Sequence, residues 1–240
     1  AWPRAELVVA SYVLAEIPLP AQGALVDRLW AACEGVLVLV EPGTPAGYQR
    51  ILAARTQLIE AGARLAGPCP HAQACPLIAP DWCHFVQRLP RSRDHRLAKG
   101  ADAPFEDEKF IWLAAARDTV AITPFEARVL APPRQAKPGI DLKLCVETGA
   151  LEQRFVARRN KPAYAVARRL DWGAGLSHTV LARLGRAIHE HGQTAVCMGP
   201  RIRSEGDELG WSWGPTSPPS AATPAGAGRA REYGRPARRR

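Results

Sequence analysis

Apolar positions in this chain come in short runs divided by turn residues, and the runs change period along the sequence. Glu6–Ala10 (ELVVA) has the length and composition of a buried strand. Ser11, Tyr12 and the following VLAEIPLP form a loop at its C-terminal end. In Gln22–Cys33 the apolar residues Leu25, Leu29, Trp30 and Cys33 recur at helical spacing, and Gly35 is placed to end that helix. Gly35–Val40 (GVLVLV) is unbroken apolar, the pattern of a parallel strand covered on both faces. Glu41-Pro42-Gly43-Thr44-Pro45 is a turn in which Thr44 caps the next helix and Pro45 takes its first position. Tyr48–Gly62 resumes a helical period. Strand, helix, strand, helix in that order is half of a doubly wound α/β sheet.

Farther on, Lys109–Ala115 reads as a strand, and Ile140–Val146 and Glu152–Ala157 as two strands joined by a turn at Thr148-Gly149. This antiparallel end is expected to close the same sheet. Two stretches are basic instead of apolar: Arg88–Gly100, and Ala157–Gly173, the second interrupted by Tyr164 and Trp172. Beyond about Gly199 the chain is Pro, Gly, Ala and Arg with almost no aliphatic residues, a composition expected to be disordered. No internal repeat is visible.

Composition narrows the class. The 240 residues are 47% hydrophobic and 23% charged, as in a soluble globular protein. No apolar run reaches the roughly 18 residues that a membrane span needs. The N-terminal segment lacks a basic n-region and a small-residue cleavage site, so it does not read as a signal peptide. The single methionine is Met198, so the chain reads as a fragment or processed product. A formal net charge of +9 suits a polyanionic partner, for which RNA is the usual candidate. The chain is expected to act as a monomer away from membranes.

Four of the six cysteines carry the candidate chemistry. Cys69, Cys75 and Cys83 lie in CPHAQACPLIAPDWC, spaced C-x5-C-x7-C among Pro68, Pro70, Pro76 and Pro80. So much proline excludes an ordinary helix or central strand and predicts a wrapping loop. Cys145 lies far off in DLKLCVETG, so a shared site would tie two parts of the fold together. Without an export signal, reduced thiols in a cytosol-like compartment fit better than disulfides. Zinc sites usually use C-x2-4-C pairs and accept His, so a zinc site drawing on His71 or His84 stays open. Iron–sulfur clusters tolerate wider spacing and are held by Cys thiolates, which favours a 4Fe–4S cluster. His71 and His84 are read as loop histidines bonded to backbone. Trp82 and Phe85 are read as shields against water, Cys33 as a buried helix residue, and Cys197 as an incidental thiol.

AELVVASYVLAEIP, GVLVLVEPGTPAGYQRILAAR, the CPHAQACPL…DWCHF loop, DLKLCVETG and YAVARRLDWG together resemble the ribosomal small-subunit methyltransferase-like family, across about residues 5–175. Mitochondrial members of that family act as assembly factors of the small ribosomal subunit. The resemblance implies an α/β fold with part of an S-adenosylmethionine-methyltransferase-like (Rossmann-like) sheet, a Cys-rich cluster-binding insertion and the antiparallel closing end. It implies Cys69, Cys75, Cys83 and Cys145 as ligands of a 4Fe–4S cluster. It implies a cytoplasmic protein, with the mitochondrial matrix for eukaryotic relatives. The corresponding organisation is 1–66 for the C-terminal half of the methyltransferase-like core and 67–100 for the Cys-rich loop and basic segment. Residues 101–176 would hold the closing strands and second basic segment, and 177–240 the divergent tail.

Two departures from the family bear on activity. Its Gly-rich donor loop lies upstream of the matching segment, and Ala174 stands where an acidic residue usually follows the Trp-Gly pair. Two functions follow as expectations. The first is a small-subunit rRNA-binding assembly factor, with Arg88, Arg91, Arg93, Arg96 and Lys99, and Arg158, Arg159, Lys161, Arg168 and Arg169, on phosphate. The second is an active S-adenosylmethionine-dependent rRNA methyltransferase. Ser11, Tyr12, Glu16, Glu41 and Pro42 lie past the C-terminal ends of sheet strands, where α/β folds bind ligands. No catalytic base or nucleophile stands out.

Overall fold

A computed structural model describes residues 2–185, together with the backbone of 189–191. The opening strand–helix–strand–helix forms as β1 (Ala5–Ser11), α1 (Leu19–Ala32), β2 (Cys33–Pro42) and α2 (Pro45–Glu60). α1 starts ahead of the apolar period because Pro20 is tolerated in a first helical turn. Its end differs from expectation. The chain turns directly into β2 at Cys33, and Gly35 lies inside that strand. A Cβ on Gly35 would meet the Glu6 carbonyl oxygen at 2.4 Å, so the glycine serves the close approach of β1. Thr44 caps α2 as expected, its hydroxyl accepting from the Gly47 N–H at 3.1 Å.

The chain continues through β3 (Arg64–Gly67), β4 (Phe85–Pro90), α3 (Arg93–Lys99) and β5 (Phe105–Ala116). The first sheet has order β1-β2-β5-β3, and β4 pairs with the N-terminal half of β5. β1 and β2 are parallel, whereas β5 is antiparallel to β2, β3 and β4. β2 is buried on one face only. Leu37, Leu39 and Glu41 face inward, while Val36, Val38 and Val40 stay partly exposed, unlike a strand covered on both sides. The inner residues join Leu29, Trp30, Ile51, Leu58, Ile111 and Leu113 in the first core.

β6 (Ala127–Val129), β7 (Arg134–Gln135), β8 (Gly139–Val146) and β9 (Leu151–Ala157) follow. Then come α4 (Lys161–Ala167), β10 (Gly175–Leu176), α5 (His178–Leu184) and β11 (His189–His191). β8 and β9 form the expected hairpin, with Gly149 at φ +80 in its turn, a conformation that costs glycine little. They do not close the first sheet. They centre a second, antiparallel sheet of order β10-β6-β8-β9-β11, with β7 also on β8. That sheet has its own core of Ile140, Leu142, Leu144 and Val156 beneath Ala163, Ala167 and Leu184. The pattern of inward residues is satisfied equally by a new sheet, and pairing partners are a long-range choice that alternation does not specify.

α3 and the end of β4 lie in the basic stretch that carried no predicted element, and α5 begins the segment assigned to a tail. The Pro-rich region expected beyond Gly199, and Cys197, lie outside the described residues. Among the described residues no helix is long and apolar enough to cross a membrane.

Candidate metal centre and nucleic-acid face

The loop between β3 and β4 runs from Pro68 to His84 with no regular structure, as its prolines dictate. It carries Cys69, Cys75 and Cys83. Cys145 sits near the end of β8 in the second sheet and is 6% exposed. The four cysteines line one small pocket that is partly open to solvent. Tyr48, Arg55, His71 and Arg128 also line it. A small third core of Leu77, Leu130 and Cys145, flanked by Cys75 and Cys83, joins the loop to the second sheet. The sequence-predicted cysteines are therefore brought together across the two sheets. Cys33 is buried apart from them as the first residue of β2.

Arg55, Arg128 and Tyr48 also surround the thiols and were not singled out from sequence. Arg55 is 4% exposed, and its Nη2 donates to the His71 carbonyl at 2.7 Å and the Gln73 carbonyl at 2.8 Å. Arg128 of β6 donates from Nε to the Pro68 carbonyl at 2.8 Å and from Nη1 to the Gly173 carbonyl at 2.7 Å. Among the described residues neither guanidinium has a carboxylate partner. The Tyr48 hydroxyl lies 3.2 Å from Cys75 Sγ, and His71 Nε2 lies 3.2 Å from Cys145 Sγ. His71 is thus directed at a sulfur, contrary to the backbone-bonded reading. His84 fits that reading, with Nδ1 3.3 Å from the Trp82 carbonyl and its ring stacked on Trp82 at 5.1 Å. Trp82 donates to the Gly43 carbonyl at 3.1 Å and packs against the first core beside Cys75 and Cys83.

Burial dominates the electrostatics. It pushes the Cys69 thiol up, opposed by the Arg55 cation. Cys83 is raised well above the usual thiol range, first by burial and then by its neighbouring thiols, and Cys145 is pushed up to about 12 for the same reasons. Burial, then Arg55, lowers His71 and keeps the ring neutral. Burial also lowers Arg128, while the nearby thiols oppose that shift. A soft, all-sulfur donor set facing one buried and one partly buried cation fits an anionic metal–thiolate group. Among the described residues, no three His, Cys, Asp or Glu side chains converge on the position of a single metal ion.

The residues proposed for a methyl donor divide. Ser11, the last residue of β1, and Tyr12 and Glu16 beyond it are exposed, and Pro42 is partly exposed. Tyr12 has φ 57, and its hydroxyl donates to Glu108 at 3.0 Å. Glu41 is 1% exposed, and both its oxygens are engaged: Oε1 accepts from the Leu14 N–H at 2.9 Å and Oε2 from Arg50 Nε at 2.8 Å. Its carboxylate braces the loop after β1 from within the protein.

The two basic stretches also differ. Arg88 pairs with Asp107, while Arg91 and Lys99 pair with Glu106, so much of the first stretch is neutralised within the protein. Arg93 is exposed and Arg96 partly buried. Arg158, Arg159, Lys161, Arg168 and Arg169 surround α4, all exposed, and none forms an ion pair among the described residues.

Residues 1–177 match the family model described as mitochondrial small ribosomal subunit Rsm22. The chain belongs to this family. The human ribosome assembly protein METTL17, mitochondrial, is 26% identical over an alignment of 180 residues. That alignment covers 70% of this chain and 38% of the human protein. The Rsm22-cox11 tandem protein 2, mitochondrial, of Schizosaccharomyces pombe is 27% identical, covering 70% of this chain and 28% of the yeast protein. The chain therefore spans well under half the length of these relatives.

Proposed function

We propose that this Rsm22-family chain belongs to a small ribosomal subunit assembly factor that binds rRNA through the cations around α4. In this reading Cys69, Cys75, Cys83 and Cys145 hold a 4Fe–4S cluster. The observation that carries it is the convergence of four thiols, three from a loop of the first sheet and one from a strand of the second, on a cavity walled by Arg55 and Arg128. Neutral thiols leave those cations uncompensated in a largely buried setting, which is costly. A metal group with four thiolate ligands is a net anion and relieves that cost. A single zinc would gather four sulfurs at about 2.3 Å from one point. The all-cysteine donor set and its loose C-x5-C-x7-C spacing favour a multi-iron cluster instead. Bound there, such a cluster supplies iron–sulfur bonds that cross-link the loop to β8, and a one-electron centre.

The relatives' names support the ribosomal part, since one is a ribosome assembly protein and the family is that of a small-subunit protein. Both relatives are named as mitochondrial; for a bacterial host the reading places the chain in the cytoplasm, again a compartment that keeps thiols reduced. Protein purified anaerobically should contain iron and labile sulfide in equal amounts, with a broad absorbance shoulder near ~400 nm from thiolate-ligated iron. One zinc per chain and no colour would replace the cluster with a structural zinc. Binding to small-subunit rRNA fragments should weaken steeply with salt, and salt-independent binding would overturn the phosphate-contact reading.

A second reading, an S-adenosylmethionine-dependent rRNA methyltransferase, is favoured by Tyr12. Its left-handed backbone past a sheet strand is the kind of strain that collects at ligand sites. Calorimetric titration with the donor, on this chain and on one extended to the length of its relatives, tests it. No heat of binding in either would refute it.

A further inference from the structure

We propose that Tyr48 and His71 are hydrogen-bond donors to two of the four cysteine sulfurs and set the reduction potential of the group those sulfurs hold. The proposal rests on the cluster reading above and adds positioning residues to it. Tyr48 is 5% exposed on α2, and its hydroxyl is 3.2 Å from Cys75 Sγ, within the range for a bond to sulfur. His71 is 7% exposed in the loop, with Nε2 3.2 Å from Cys145 Sγ. A sulfur that ligates iron is a thiolate and has no proton to give, so both partners must donate. For His71 this selects the tautomer with the proton on Nε2. Nδ1 has no hydrogen-bond partner among the described residues and is left as the nitrogen without a proton. An unpaired acceptor there is tolerated better than a buried N–H with nothing to bond.

The two donors are independent in origin. One comes from a helix of the first sheet's layer, the other from the loop itself, and they address sulfurs from different sheets. Arg55 holds His71 in place through the His71 carbonyl, so the imidazole is fixed by a contact that does not involve the sulfur. Donors aimed at sulfur favour the form of a metal–sulfur group with more negative charge, which is the reduced form. Such bonds raise the potential. Neither side chain forms any other side-chain hydrogen bond among the described residues that would explain its burial.

The test is a redox titration followed by electron paramagnetic resonance on anaerobically purified wild type, Tyr48→Phe and His71→Asn, after iron and sulfide per chain have been measured for each. Tyr48→Phe keeps the ring and removes only the donor. Each variant should bind as much iron as wild type. Each should lower the ratio of reduced to oxidised protein about tenfold at the wild-type midpoint, a fall of roughly 59 mV for one electron. An unmoved midpoint in both iron-loaded variants overturns this proposal alone. Loss of iron from both variants also overturns it, because the side chains would then be supports of the loop. Wild type without iron overturns the cluster reading and this proposal together.

Discussion

Arg55→Met separates the two jobs given to Arg55. The substitution keeps most of the side-chain volume and removes the charge and both bonds to the loop. In metal-free protein it forfeits two charge-assisted hydrogen bonds, to the His71 and Gln73 carbonyls, at about 1.5–3 kcal/mol each. Against this stands relief from burying a cation that is 4% exposed and has no carboxylate, a term of several kcal/mol of opposite sign. The two nearly cancel, so metal-free stability should change by about 2 kcal/mol or less, within the ordinary range for a point substitution. With the metal group bound, a third contribution appears. Taken at an illustrative separation of about 4 Å and an effective dielectric of about 20, the attraction of Arg55 for an anion is about 4 kcal/mol, or roughly a thousandfold in metal retention. The assay pairs urea unfolding of metal-free wild type and Arg55→Met with the rate and extent of iron loss to a chelator. Iron retention should fall by two to three orders of magnitude while urea midpoints stay close, taking about 1.4 kcal/mol per tenfold. Equal destabilisation with and without metal would refute the reasoning, since Arg55 would then be a loop brace and nothing more.

Glu41→Ala should cost about 3–5 kcal/mol in urea unfolding, because it strands the Leu14 N–H and Arg50 at a buried site. Glu41→Gln, which can still accept from Leu14, should cost less, and equal costs would show that shape alone matters. Reversing Arg158, Arg159, Lys161, Arg168 and Arg169 to Glu should lower rRNA affinity and flatten its salt dependence by about 0.7 log units per lost contact on single strands. The same reversal of Arg88, Arg91 and Lys99 should do less, since Asp107 and Glu106 already occupy those side chains. Glu106 and Asp107 are held below their ordinary values of 4.5 and 3.8, mainly by hydrogen bonds from Arg91 and Arg88. A lowered folded-state value contributes stability above the unfolded value and loses it as pH falls through the folded one. Amide exchange in β4 and the first half of β5 should therefore quicken as pH falls below those ordinary values, ahead of β8 and β9. Simultaneous loss in both sheets would contradict this.

The opening elements were legible because local signals decide them. Thr44-Pro45 marks a helix start by cap and fixed φ, and Thr148-Gly149 marks a turn by the left-handed glycine. The cysteine loop was legible from its prolines. The second sheet was not, because the inward face of Ile140, Leu142 and Leu144 is the same whether these strands extend one sheet or found another. β4 was hidden by Arg88 and Pro90, residues that suit an exposed strand carrying its own ion pairs. Arg55 was missed because an arginine in a helix usually faces water, and His71 was read as backbone-bonded because a loop histidine usually is. One signal was present: Tyr48 and Arg55 stand seven apart on α2 and share a face, so a buried Tyr48 implied a buried Arg55.

β5 pairs with β3 near one end and with β4 along the other, so both ends of the Pro68–His84 loop are fastened to the same strand. The distance the loop must bridge is therefore set by the Phe110–Ala114 span of β5 and not by the loop itself. Lengthening a chain whose ends are already fixed costs only about 0.6 kcal/mol per doubling. The spacing between Cys69, Cys75 and Cys83 is accordingly free to drift among relatives by insertion and deletion, while the length of that β5 span is not.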